Sequence, residues 1–101
     1  MIHIVWDEKK HSLTASGHAG YATAGQDIVC AGVSALINAA LIRGTEDFDV
    51  QAEIRTQGEI HLRFYPEPKR ADACREMLLT VMHGLDSIEK QYPEHVTVER
   101  R

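Results

Sequence analysis

Ser12-Leu13-Thr14-Ala15-Ser16-Gly17-His18-Ala19-Gly20-Tyr21-Ala22-Thr23-Ala24-Gly25-Gln26-Asp27-Ile28-Val29-Cys30-Ala31-Gly32-Val33-Ser34-Ala35-Leu36-Ile37 is the stretch on which the fold turns. Its first residues alternate, with Leu13, Ala15 and Gly17 on one side and Ser12, Thr14, Ser16 and His18 on the other, the period of a half-buried strand. Its last residues, Val29, Val33, Leu36 and Ile37, continue to Ala40 and Leu41 at helical spacing. Between them, Gly17, Gly20 and Gly25 and several alanines leave few side chains to anchor a loop, so a mobile loop is expected. Asp27 stands where an N-cap belongs and Gly44 where a helix stop belongs.

Working outward, Ile2, Ile4 and Trp6 alternate with His3, Val5 and Asp7, and the charged turn Asp7 to Lys10 joins that strand to the next as a hairpin. After the helix, Phe48, Val50, Ala52 and Ile54 alternate, as do Ile60, Leu62 and Phe64, with Thr56-Gln57-Gly58 as the turn of a second hairpin. Pro66 and Pro68 precede a second helix whose stripe is Cys74, Met77, Leu78, Val81, Leu85 and Ile88 and which ends at Tyr92-Pro93. Val96 and Val98 suggest a terminal strand. The order β-β-α-β-β-α-β predicts a two-layer α+β domain over residues 1–101, a mixed sheet with two helices on one face. Val5, Thr14, His61, Arg63 and Tyr65 would lie on the other face, a partly apolar surface that a homodimer would cover in part.

Eleven Lys+Arg against fifteen Asp+Glu give a formal charge of −4. Phosphate neutralisation drives nucleic-acid binding, so a dedicated nucleic-acid binder is not expected. The two cysteines are too few for a disulfide scaffold, the N-terminal apolar run is too short for a secretory signal, and no run of about 18 apolar residues stands out as a membrane span. These features predict a reducing cytoplasm with both thiols free.

His18 in the glycine-rich loop and Cys30 in the first helical turn are the residues that suggest chemistry. A reactive thiol needs a proton carrier near the sulfur and a field that favours the thiolate, and a loop histidine and a helix N-terminus can supply these. A free cysteine is just as often a small buried hydrophobe. Cys30 is offset by one from the Val29–Val33 stripe, which leans toward accessibility, whereas Cys74 lies on its helix's stripe and reads as core. Asp27 is either a cap alone or a third member that orients His18. Ser34, at i+4 from Cys30, bonds either near the sulfur or to the Cys30 carbonyl. Tyr21 is either a loop anchor or a substrate contact. Ala31, Gly32 and Ala35 make a small face that lets the helix approach the sheet or a substrate backbone approach the helix, and the helix cost of Gly32 points to such close contact. His3, His11, His61, His83 and His95 lack ligand spacing, so no metal site or other cofactor is expected.

Gly17-His18-Ala19 followed by Asp27-Ile28-Val29-Cys30-Ala31 and Val33-Ser34-Ala35-Leu36 resembles the signature of the ribosomal-processing cysteine protease family, Prp. The resemblance covers about residues 1–42, and Gly32 stands where many relatives have a second alanine. It implies a cytosolic bacterial peptidase, usually homodimeric, with Cys30 as nucleophile and His18 as proton donor and acceptor. It also implies a loop, including Gly17, Ala19, Gly20, Tyr21 and Gly25, that orders over the substrate. The implied substrate is the N-terminal extension of large-subunit ribosomal protein number twenty-seven. In such a mechanism helix-start N–H groups near Ile28 to Ala31 are the expected oxyanion donors. Two other classes stand beside it: a non-enzymatic ribosome-associated module binding a peptide or anion at the helix start, and a thiol redox sensor, weakened by the lack of a nearby resolving cysteine.

Overall fold

The computed structural model describes residues 1–23, 26–54 and 58–101. Strands β1 (Ile2–Asp7) and β2 (Ser12–Ser16) form the first hairpin, helix α1 spans Ile28–Asp47, and β3 (Gln51–Ile54) and β4 (Glu59–Arg63) form the second hairpin. A short 3-10 turn at Pro68–Arg70 leads into helix α2 (Ala71–Gln91), and β5 (Val96–Arg100) closes the sheet. The sheet order is β3-β4-β2-β1-β5, with β1 and β5 parallel and every other pair antiparallel. This is the predicted α+β mixed sheet, in the predicted element order.

Alternation fixes the register. Ile4 pairs with Ala15 and with Val98, and Leu13 pairs with Trp6 and with Leu62, so apolar residues share one sheet face row by row. A register slip of one residue would turn that whole face to water. Ile2, Ile4, Trp6, Leu13, Leu62 and Val96 from the sheet are buried in one cluster with Val29, Val33, Ile37 and Ala40 of α1 and Leu78, Val81, Met82 and Leu85 of α2. The opposite face is polar along its middle row, where Thr14 Oγ1 and His61 Nδ1 lie 2.7 Å apart. Helix α1 is long and apolar enough in composition to cross a membrane, contrary to the expectation of no such segment. Val29, Val33, Ile37 and Ala40 of that helix are buried in the core, while Ile28 and Ile42 stand exposed.

Two expectations are corrected. Gly44 does not stop α1: the helix runs on to Asp47 and is capped at Phe48, whose N–H bonds the Gly44 carbonyl. Gly44 is instead buried, and a Cβ there would lie 2.6 Å from Phe64 Cε1 and 2.8 Å from Val50 Cβ. The residue's bareness serves close packing of the helix on this ring. The extra turn takes Phe48 out of the third strand, Asp49 reverses the chain at φ +47, and β3 begins only at Gln51. That edge strand is exposed throughout, and Ile54, read as inward-facing, is 76% exposed. Thr56 and Gln57 of the expected turn lie outside the described residues, while Gly58 has the positive φ, +81, expected of a turn glycine.

Candidate active site

Helix α1 begins as Asp27 dictates. The Asp27 Oδ1 accepts the Cys30 N–H at 2.9 Å, which places Cys30 in the first turn. The other oxygen, Oδ2, accepts the loop N–H groups of Tyr21 at 3.1 Å and Ala22 at 3.5 Å. One carboxylate therefore ties the loop to the helix start. The Cys30 N–H, and behind it those of Tyr21, Ala22 and Val29, hold this carboxyl below the usual aspartate range, against a smaller opposing effect of desolvation. The capping role is met. Among the described residues no hydrogen bond joins Asp27 to His18.

The loop reaches the sulfur through its backbone. Gly17 leaves β2 at φ +90, and a Cβ there would lie 2.2 Å from the Met1 carbonyl oxygen, so only glycine fits. Its N–H donates to the Gly58 carbonyl at 3.0 Å, joining the loop to the turn before β4. Ala19 is buried, and its N–H points at Cys30 Sγ at 3.4 Å. Gly20, at φ +68, has open space around it. Tyr21 is an anchor: its ring meets Tyr92 and His95 edge-on at 5.3 and 5.5 Å between centroids. Gly25 lies outside the described residues.

Cys30 is half-buried and Cys74 buried; both are free thiols. Burial pushes the Cys74 thiol up, away from reactivity at neutral pH. His18 is exposed, and its ring lies against Gly58, where an added Cβ would be 3.0 Å from Nε2. Among the described residues no hydrogen bond joins the His18 ring to Cys30 Sγ. The two side chains nevertheless line the same two clefts, together with Ser34. The first, about 370 Å³, is apolar, walled by Ile2, Val33, Ile37, Ile54 and Ile60. The second, about 550 Å³, runs along Gly20, Ala22, Asp27 and Ala31.

Two details differ from the sequence reading, and the close contact expected at Gly32 is found. The Cys30 N–H is committed to Asp27 Oδ1 and the Ala31 N–H to the Asp27 carbonyl at 3.1 Å, so these helix-start amides are not free oxyanion donors. The amide aimed at the sulfur belongs to Ala19. The Ser34 hydroxyl bonds neither the Cys30 sulfur nor its carbonyl among the described residues, and Ser34 is exposed and lines both clefts. Gly32 is explained by helix packing: a Cβ there would touch Ile88 Cδ1 of α2 at 3.3 Å. Among the described residues no cluster of three or more His, Cys, Asp or Glu is grouped to hold a metal ion.

Two residues at the site escaped the sequence reading. Gly58 packs under the His18 ring, and His95 Nδ1 lies 2.7 Å from the Ala19 carbonyl oxygen. Their separation from the loop, 76 residues for His95, hid both.

Comparison with known proteins bears on this arrangement. The family model described as cysteine protease Prp matches residues 1–97. The ribosomal processing cysteine protease Prp of Bacillus subtilis is 29% identical over 94 residues, covering 86% of this chain and 82% of that one. The protein of the same name from Mycoplasma pneumoniae is 68% identical over 31 residues, a match spanning 31% of each chain. Among solved structures, an essential ribosomal processing protease Prp from S. aureus, in complex with a covalently linked product peptide, superposes with a TM-score of 0.82 at 26% identity, covering all of both chains. The chain belongs to the cysteine protease Prp family.

Proposed function

We propose that this chain is an endopeptidase that removes the N-terminal extension of large-subunit ribosomal protein number twenty-seven during ribosome maturation, with Cys30 as nucleophile and His18 as proton carrier. The observation that carries this reading is the junction of the two clefts at Cys30, His18 and Ser34, with the Ala19 N–H on the sulfur. A peptide is the ligand such a double cleft fits, and the S. aureus relative holds one covalently.

The chemistry follows from the groups present. His18 takes the Cys30 proton, and the sulfur attacks the scissile carbonyl carbon. The C–N bond breaks as His18 returns the proton to the leaving amine, leaving the N-terminal fragment as a thioester on Cys30. Water, deprotonated by His18, then adds to that thioester, releasing the carboxylate fragment and restoring the thiol. The Ala19 N–H is the backbone donor best placed to steady negative charge, first on the sulfur and then on the adjoining oxyanion. The apolar cleft would take an apolar side chain beside the cut bond. Because the His18 ring is exposed and not bonded to the sulfur, substrate binding completes the pair.

The reading includes a cytoplasmic homodimer that contacts peptide and neither nucleic acid nor membrane. The charge of −4 supports the exclusion of nucleic acid, and light scattering on the purified chain tests the dimer. The substrate assignment is tested by mixing the chain with the extended ribosomal protein and reading products by mass spectrometry. A single cut near the N-terminus supports it. An intact ribosomal protein, with Cys30 reactive to alkylation, would move the assignment to another peptide.

A further inference from the structure

We propose that His95 is a positioning residue for the reactive pair, acting through Ala19. The inference rests on the assignment of Cys30 and His18 as that pair. A carbonyl oxygen can only accept, so the 2.7 Å contact between His95 Nδ1 and the Ala19 oxygen places a proton on Nδ1. Ala19 is the buried residue of the segment from Gly17 to Gly20, flanked by an exposed His18 on one side and two glycines at positive φ beyond. Its N–H serves Cys30 Sγ while its carbonyl serves His95. One peptide segment thus carries His18, meets the sulfur, and is held from behind by a single side chain.

The post that holds it is itself fixed. The His95 N–H donates to the Tyr92 carbonyl at 2.9 Å, and its own carbonyl accepts the Ile2 N–H at 2.9 Å. The residue sits between the end of α2 and the start of β5, locked to β1. Its ring also braces the edge of Tyr21, which packs on Tyr92 as well. With Asp27 gripping the Tyr21 N–H, the loop has two anchors, one at Ala19 and one at Tyr21. Removing the His95 donor would leave the buried Ala19 carbonyl unpaired and free the segment to rotate.

The test compares His95→Ala with His95→Asn, whose amide nitrogen stands close to where Nδ1 stood and keeps the donor. Three readouts are taken: kcat and KM on a peptide substrate, the rate of Cys30 alkylation by iodoacetamide, and the thermal midpoint. His95→Ala is expected to lower kcat about ten- to hundredfold, the scale of an ångström-level misplacement of a reacting group, with KM little changed. Its Cys30 should alkylate at a rate clearly different from wild type. His95→Asn, which keeps the bond to Ala19 but loses the ring's contact with Tyr21, should recover most of both and only part of the thermal midpoint. Two results overturn the proposal: kcat and alkylation in His95→Ala equal to wild type, or His95→Asn as impaired as His95→Ala when both are folded. Alkylation reads the loop independently of turnover. A Cys30→Ala variant that still cleaves would therefore overturn the nucleophile assignment, while the alkylation comparison still reports on His95.

Discussion

Gly58→Ala separates the stability of the site from its chemistry. Gly58 has φ +81, where an L-residue costs about 1–2 kcal/mol. In a chain near 100 residues each kcal/mol moves Tm by about 4–8 °C, so a fall of roughly 5–15 °C is expected. The new methyl would also lie 3.0 Å from His18 Nε2 and 3.2 Å from Cε1. That ring is the exposed end of a flexible side chain, so it swings aside rather than straining the backbone, and adds little to the stability loss. A displacement approaching 1 Å at the proton carrier should cost about ten- to hundredfold in kcat/KM. The assay is peptide cleavage well below the variant's Tm, alongside thermal unfolding. Gly58→Asn is the control, because asparagine tolerates positive φ better than alanine yet keeps the Cβ against the ring. It should recover part of the Tm and little of the activity. If both variants cleave like wild type while Tm falls as expected, the turn before β4 does not set the position of His18, or His18 does not carry the proton.

The remaining expectations concern the cap, the thiols and α1. Folding holds the Asp27 carboxyl below its ordinary pKa of about 3.9, mainly through the Cys30 N–H. Its contribution is therefore complete above that value and lost as pH falls through the folded one. Asp27→Asn should flatten the acid limb of a Tm-against-pH curve below about pH 4, and an unchanged slope would contradict the cap's part in it. Iodoacetamide at neutral pH should modify Cys30 and spare Cys74, whose burial disfavours the thiolate; peptide mapping that finds Cys74 modified first in the folded chain would contradict this. Gly44→Ala sets overpacking against Phe64 and Val50, about 1–3 kcal/mol, against a helix-propensity gain near ~1 kcal/mol, so urea denaturation should show a net loss with cleavage unchanged. A stabilised variant would mean that the Phe64 ring shifts freely.

The fold was legible wherever local pattern and global packing agreed. Leu13 and Ala15 read as a strand and are buried with Leu62 and Ile4 as neighbours. Cys74 and Leu78 read as core and are fully buried. Asp27 read as a cap and is one. Errors arose where a residue's role depends on a neighbour distant in sequence. Gly44 looks like a helix stop until Phe64, twenty residues on, is seen filling its missing side chain. Phe48 and Val50 alternate with Ala52 and Ile54 in sequence, but the helix takes the first of them as its cap and leaves β3 as an exposed edge. At the site, the Gly17-His18-Ala19 and Asp27-to-Cys30 blocks were legible because both lie within one loop and its helix, and His18 and Cys30 line the same clefts. The Gly58 and His95 contacts depend on sheet pairing and on the return of β5 beside β1. No spacing within the loop encodes them. Two of the expected oxyanion donors, the Cys30 and Ala31 amides, are engaged by the residue that caps the helix start.

The central claim is that Cys30 forms the covalent bond to the substrate. Intact-protein mass spectrometry after rapid acid quenching of the chain with its peptide substrate tests it directly. Wild type should gain the mass of the N-terminal fragment less one water, mapped to Cys30, and the adduct should disappear as cleavage completes. Cys30→Ala should show neither adduct nor product. Product formed by Cys30→Ala, or an adduct mapped to another residue, would contradict the assignment.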